Sequence, residues 1–379
     1  MDNIIESTNM KVTEKAPKVI NPAMKRVLLT LSCIFLVVGG CGGPLIMRLY
    51  YIHGGASIWL TCWLQSVGWP VLLIPLAIGY FYRRSIKHNS CIFYIDLPLF
   101  LAGTVLGLIM GVDNYFYSYG FGRLPVSTAS LIMSSQLAFV AAFAFLIVKQ
   151  KFTPYSINAI FLLTLASGML ALHSSSDKPK GESSKQYTVG FIMALAAALL
   201  YGVTMPLMEL TYRKSRQEIT YTLVLEIQMV MGLFATGLST IGMIASNEFK
   251  SIAEEARNFG LGETKYYMVI VWTAIVYQLV TLGIMGVVFY GSSMFTGILT
   301  SCLLPAVEVL AVVFLHENFQ AEKGVSLGLS LWGFVSYFYG EVQENKKARK
   351  KNDLSSETEM PEATTSHAAT STPNSTENV

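Results

Sequence analysis

Charge is what this chain has least of. Only 13% of its 379 residues are charged, about half the share of an average soluble domain. Mean hydropathy is +0.48. So few charges cannot cover a water-facing surface of this size, which excludes an ordinary soluble enzyme. The net charge of +3 gives no field for a nucleic-acid partner. Cysteine is sparse too: Cys33, Cys41, Cys62, Cys91 and Cys302 have no paired spacing, so neither a disulfide framework nor a metal site is expected. His53, His88, His173, His316 and His367 are dispersed. No G-x-x-x-x-G-K-[ST] phosphate loop is present, which argues against direct ATP drive. No cofactor is expected, and the chain does not read as an enzyme. Its first 23 residues are polar, so no cleavable leader is expected.

What the chain has instead is long apolar blocks. A hydrocarbon core of about 30 Å needs roughly 20 helical residues. Ten blocks meet that need: 27–49, 57–81, 98–119, 126–148, 154–173, 189–211, 220–244, 266–290, 293–315 and 324–340. The pattern predicts an all-α integral membrane protein whose bulk partner is the lipid bilayer. An even number of crossings puts both termini on one side. With the N-terminus cytosolic, 18 of the 27 Lys and Arg fall on inner segments and most of the other nine in the two longest outer loops, 174–188 and 245–265, so both termini are expected in the cytosol. The tail from about 352 onward is rich in Ser, Thr, Glu and Pro and is expected to be disordered.

The chain also repeats itself. Ile109-Met110-Gly111-Val112 recurs as Ile284-Met285-Gly286-Val287. Gly39-Gly40 and Gly42-Gly43 followed by Pro44 in the first block match Gly202 followed by Pro206 in the sixth, and Lys149-Gln150-Lys151-Phe152 matches His316-Glu317-Asn318-Phe319. The offsets are 175, 162 and 167 residues. A duplicated five-helix unit follows, and five crossings turn the second copy upside down. Inverted repeats are a transporter signature, with substrate bound near the midplane between the halves. The expected organisation is a cytosolic N-terminal tail 1–26, a first repeat 27–173, an extracellular connection 174–188, a second repeat 189–340 and a disordered cytosolic tail 341–379. Pro44 and Pro206, at matching places, are the expected hinges.

Several ordered motifs resemble the plant purine permeases, a family of the drug/metabolite transporter superfamily. They are Gly54-Gly55-Ala56-Ser57 through Gly68-Trp69-Pro70, Gly111-Val112-Asp113-Asn114-Tyr115, Leu124-Pro125-Val126-Ser127-Thr128, and Gln136-Leu137-Ala138-Phe139 through Lys151-Phe152-Thr153-Pro154. Leu304-Pro305 with Glu308-Val309-Leu310, then Phe319 to Leu327, completes the set. The resemblance implies ten helices in two inverted repeats and proton-coupled uptake of nitrogen heterocycles such as adenine and cytokinins. It implies as alternatives an uptake permease for benzylisoquinoline or nicotine-type alkaloids or vitamin B6, or an uncoupled facilitator. Uptake members point to the plasma membrane. Trp63, Met133 and Gly122-Arg123 depart from the family's common pattern, which bears on substrate choice.

A charge inside the bilayer is costly and seldom idle. Four carboxylates lie within the blocks. Glu308 is the first candidate for proton coupling, because it shares a helix face with Ser301 and Pro305 and its repeat counterpart is Ala141. Asp113 is second, with a surface pairing to Arg48 or Arg123 as its alternative. Glu226 is third, with neutralisation of Arg213 or Arg216 as its alternative. Glu209 reads as interfacial. A flat heterocycle needs aromatic faces to stack on and amides at its edge. Trp69, Asn114, Gln136, Tyr201, Tyr277 and Gln278 are the candidate substrate-binding residues. Tyr115, Tyr117 and Tyr119 read as an aromatic belt near the outer boundary.

Overall fold

The computed structural model describes residues 22–86, 93–124, 132–133, 135–150, 152–173, 184–215, 217, 220–315 and 321–358. The described residues form helices joined by short connections: α1 (Pro22–Ile52), α2 (Ile58–Leu64), α3 (Leu73–Ile86), α4 (Leu97–Arg123), α5 (Gln136–Phe143), α6 (Pro154–His173), α7 (Ser184–Lys214), α8 (Tyr221–Ala245), α9 (Glu248–Asn258), α10 (Glu263–Tyr290), α11 (Ser293–Leu315) and α12 (Ala321–Thr358). Seven helical stretches are long and apolar enough to cross a membrane, counting α2 to α3 as one; the apolar stretches Gln136–Val148 and Pro154–Ala166 are shorter. Apart from a break in the second block, the described part of each block marked out by hydropathy is mainly helical. Residues 125–131 and 134, at the start of the fourth block, lie outside the described residues.

The second block is not one continuous helix. It stops at Leu64, passes Gly68-Trp69-Pro70, makes a single tight turn over Trp69–Leu72 and restarts as α3. Pro70 has no N–H to give to a helical bond. Gly68 lies so close to α10 that a methyl group there would come 2.7 Å from the Ala274 carbonyl oxygen. Irregular backbone at membrane depth is tolerated where protein or a cavity covers it.

The helices meet through small residues. α1 lies along α10, with Gly39 against the Val280 backbone, Gly43 against the Tyr277 ring and Gly283 against the Leu36 backbone. α4 lies along α8, with Gly107 against the Met231 backbone and Gly111 against Ala235. The pairings form a pattern. α1 packs on α10 as α4 packs on α7; α5 meets α7 as α11 meets α1; α6 pairs with α12, and α5 with α11. Exchanging the two halves of the chain maps each of these contacts onto another or onto itself. α1 and α7 are both 31 residues long and carry Pro44 and Pro206 at the same place along the helix.

Two features differ from the expectation. The connection 245–265, read as a loop, contains α9. Phe249, Ile252 and Ala256 recur at helical spacing, and Ala256 is buried while Glu254 and Arg257 are exposed. And α12 continues to Thr358, past residue 341 where a disordered tail is expected. Residues 341–358 contain neither Gly nor Pro and are rich in Glu, Lys, Arg and Gln, so nothing in the sequence stops the helix there.

The α1–α10 contact generates a test. Gly283→Val would drive a branched side chain into the Leu36 backbone. Overpacking of this kind costs about 1–3 kcal/mol or more. The variant should lose monodisperse protein on detergent extraction. Gly237→Ala, which has nothing within 4 Å of the added carbon, should behave as the parent in the same chromatographic assay.

Candidate functional site

Polar side chains from both halves gather midway along the bundle. α4 supplies Asp113, Asn114, Tyr117 and Ser118; α10 supplies Tyr277 and Gln278; α7 supplies Tyr201 and α11 supplies Thr300. Gln65, just past α2, donates from Nε2 to Ser118 Oγ at 2.8 Å and to the Thr61 carbonyl at 3.2 Å. The Tyr201 hydroxyl lies 3.5 Å from Thr300 Oγ1. Asp113 is within electrostatic reach of Tyr117, Tyr201 and Cys62. The Tyr277 hydroxyl faces Tyr117.

Much of this cluster is unsatisfied. Asp113 Oδ1, Asn114 Nδ2 and Gln278 Nε2 are buried without a hydrogen-bond partner, and the Tyr277 hydroxyl has the Tyr117 hydroxyl near it but outside hydrogen-bond geometry. Leaving such a group unpaired costs about 1–3 kcal/mol. Two adjacent pairs of such residues, one on α4 and one on α10, lie in this cluster. Together they offer amide donors, a hydroxyl and a carboxylate to a polar molecule with flat edges.

The break after α2 borders this cluster. Gly68 sits against Gln278, and the Trp69 side chain packs on Gly232 of α8. Of the residues read from sequence, the structure thus brings Trp69, Asn114, Asp113, Tyr201, Tyr277 and Gln278 to one level. Gln136 is half-buried in the first turn of α5. Glu308 lies on α11, but its side chain is outside those described.

Glu226 is elsewhere, and it is engaged. It is buried at the end of the bundle where the chain termini lie. There its Oε2 accepts the backbone N–H groups of Tyr94 at 2.8 Å and Ile95 at 2.9 Å. The charged neighbour is Arg83, rather than Arg213. Arg83 also donates to Thr222 Oγ1 at 3.0 Å and stacks 4.8 Å over the Tyr94 ring. Glu226 therefore ties the entry of α4 to α8. Glu209 is buried rather than interfacial: it pairs with Arg213 and accepts the Ser293 N–H at 2.7 Å. Arg123 turns its guanidinium over the Tyr119 ring, 5.3 Å from the centroid.

Three site residues escaped the sequence reading. Tyr117 points into the cluster while Tyr115 stacks on Trp59 with ring centroids 4.1 Å apart, so the three tyrosines do not form one belt. Gln65 gave a signal, as an amide inside an apolar run. Thr300 gave none, since a threonine in a membrane helix usually bonds its own backbone, as this one does to Thr296. Among the described residues, no three His, Cys, Asp or Glu side chains converge in a way that could hold a metal ion.

Comparison with known proteins adds the family. A family profile described as purine nucleobase transmembrane transport matches residues 27–347. The chain is similar to purine permease 3 of Arabidopsis thaliana, 49% identical over 341 residues that cover 89% of this chain and 97% of that one. It is 51% identical over 343 residues to purine permease 2 of the same plant, covering 87% and 96%. Purine permease 21 is 36% identical over 336 residues, covering 86% and 84%. A protein chain of known crystal structure superimposes with a TM-score of 0.59 at 14% identity, covering 82% of this chain and 97% of its own. That likeness concerns the fold alone.

Two substitutions separate waiting groups from structural ones. Tyr277→Phe removes a hydroxyl whose neighbour, the Tyr117 hydroxyl, stands outside hydrogen-bond geometry, so the melting temperature of the purified protein should stay within about a degree of the parent. Glu226→Gln turns an acceptor of two N–H groups into a side chain that can present a donor to them. It should lower the melting temperature by several degrees, the effect of roughly 1–3 kcal/mol.

Proposed function

The chain belongs to the plant purine permease family, an integral membrane family, and from that premise we propose that it imports purine-type nitrogen heterocycles, adenine and cytokinins among them, with a proton, by alternating access. In this reading ten helical passes form two inverted five-helix repeats, both termini are cytosolic and the protein works in the plasma membrane. The observation that carries it is the set of orphaned polar atoms on α4 and α10, one group from each half of the chain. A purine is flat, offers donors and acceptors around its edge, and carries no charge that a counter-ion would have to meet.

The ring lies between aromatic faces contributed by Trp69, Tyr201 and Tyr277. The Asn114 and Gln278 amides and the Tyr277 hydroxyl pair with its edge, which repays the cost of leaving them unpaired in the empty site. Gln136 borders the site from α5. Asp113 receives the proton. Its Oδ1 is buried and free of partners, and a carboxylate moved through an apolar surround costs far less when neutral. Glu308 is the second proton carrier, and Glu226, held by backbone N–H groups, stands at the release end. Proton and substrate then favour the same closed state, and the halves rock at Pro44 and Pro206.

The test is uptake of radiolabelled adenine by transport-deficient yeast at external pH of about 5 and about 7.5, with Asp113→Asn and Glu308→Gln beside the parent. Saturable uptake that rises in acid, falls with a protonophore and drops by about tenfold or more in Asp113→Asn is expected. Competition by cytokinin, pyridoxine and a benzylisoquinoline ranks the substrates. Uptake indifferent to pH, to protonophore and to both variants would replace the coupled mechanism with a facilitator. No adenine uptake by protein shown to be at the surface would sink the purine reading.

A further inference from the structure

At the end of the bundle opposite the chain termini, one carboxylate gathers an unusual number of donors. Glu255, on α9, accepts through Oε1 from the backbone N–H of Ala56 at 2.5 Å and of Ser57 at 3.3 Å. Through Oε2 it accepts from the hydroxyls of Tyr50 at 2.8 Å and Tyr266 at 2.7 Å, and from Ser57 Oγ at 3.4 Å. Glu248 lies two turns earlier on the same face of α9, and its Oε2 accepts the Leu60 N–H at 3.0 Å. Glu248 and Glu255 thus hold the chain that leads into α2, and Glu255 also holds the last turn of α1 and the first of α10.

The donors come from both halves of the chain. Tyr50, Ala56, Ser57 and Leu60 belong to the first repeat, and α9 and Tyr266 to the second. Tyr50 and Tyr266 are buried beside Phe259, so the bonds sit on a packed apolar floor. The Gly260 N–H donates to the His53 carbonyl at 2.9 Å, a further bond across the same seam. Asn247, just before α9, has φ 57°, and Gly262, just before α10, has φ 91°. Across the seam Gly54 sits at φ 102° just before the held segment. In the first half the described part of the corresponding connection, 93–96, is not helical.

We propose that α9 is a clasp that closes this end of the transporter, with Glu255 as its fastener. The proposal rests on the alternating-access reading above: the halves must part here for substrate to enter from this side, and the bonds to Glu255 must break when they do. A carboxylate suits that role. It accepts several N–H and O–H donors at once, and replacing it with an amide puts an N–H against donors on every side. Transport then requires a clasp that opens, and closure requires a clasp that holds.

Cys62 reports on the clasp without reference to any substrate. It is fully buried in α2, lies within electrostatic reach of both Glu248 and Asp113, and so sits between the clasp and the central cluster. In intact cells expressing the full chain with Cys33, Cys41, Cys91 and Cys302 replaced by Ser, a small membrane-impermeant methanethiosulfonate should modify Cys62 slowly. Glu255→Gln should speed that reaction by about tenfold, by shifting the population toward the open end. Should Glu255→Gln fail to fold, Tyr50→Phe with Tyr266→Phe removes two of the donors and should speed it in the same direction. The converse experiment uses His53→Cys with Gly260→Cys, whose β-carbons would lie 3.7 Å apart across the same seam, in a chain lacking the native cysteines. A short bifunctional thiol reagent should stop uptake, and a monofunctional one should not. Unchanged Cys62 reactivity in both sets of variants, or uptake that survives bridging, overturns the clasp. Faster Cys62 labelling in a chain that carries no purine would instead overturn the substrate reading and leave the clasp standing.

Discussion

Helices in a bilayer gain little by burying apolar surface against one another, because the lipid they leave is just as apolar. What they gain is close contact, and here glycine supplies it. Gly283 against the Leu36 backbone and Gly107 against the Met231 backbone bring helix axes nearer than larger side chains allow. The bundle's geometry follows from those seams. They join α1 to α10 and α4 to α8, so each ties a helix of the first half to one of the second. The polar cluster lies between them.

This arrangement explains how so many polar atoms survive without partners. Close-packed seams on either side fix α4 and α10, and the break at Gly68-Trp69-Pro70 borders the space between. Asp113, Asn114, Tyr277 and Gln278 cannot relax toward one another, because their backbones are pinned by contacts elsewhere. The rigidity that keeps them apart is what keeps them available. At the two ends of the bundle, by contrast, the acids are spoken for: Glu226 and Glu209 hold backbone N–H groups at one end, Glu255 and Glu248 at the other. The acids that fasten helix ends thus lie apart from the one midway, Asp113, whose Oδ1 is buried without a partner.

Much of this was legible in the sequence, and the rest was hidden for identifiable reasons. The apolar blocks and the matching prolines could be read directly, because span length and repeat spacing are properties of the chain alone. Trp69, Asp113, Tyr277 and Gln278 could be picked out because polar or bulky groups at mid-span are conspicuous. Which face each residue takes could not. Tyr115 and Tyr117 are two positions apart, so they lie on nearly opposite sides of α4; only the placement of α7 and α10 decides that Tyr117 points inward. Glu226 was conspicuous too, but its partners lie more than a hundred residues upstream, at Tyr94 and Ile95. α9 left a readable trace in Phe249, Ile252 and Ala256. It passed as a loop because its charges outweighed its short apolar stripe.

The seam between α1 and α10 also bears on how the protein is made. Helices enter the membrane in the order of synthesis, and α1 is the first. Its glycine-lined face has no partner until α10, which begins at Glu263, has followed it. α6 waits in the same way for α12. For most of translation, then, α1 and α6 sit in the membrane without the helices they pack along, and a ribosome that stalls before residue 263 leaves both unpartnered although α4, α7 and α8 have already met. Such a chain has the exposed, half-satisfied surfaces that quality control recognises.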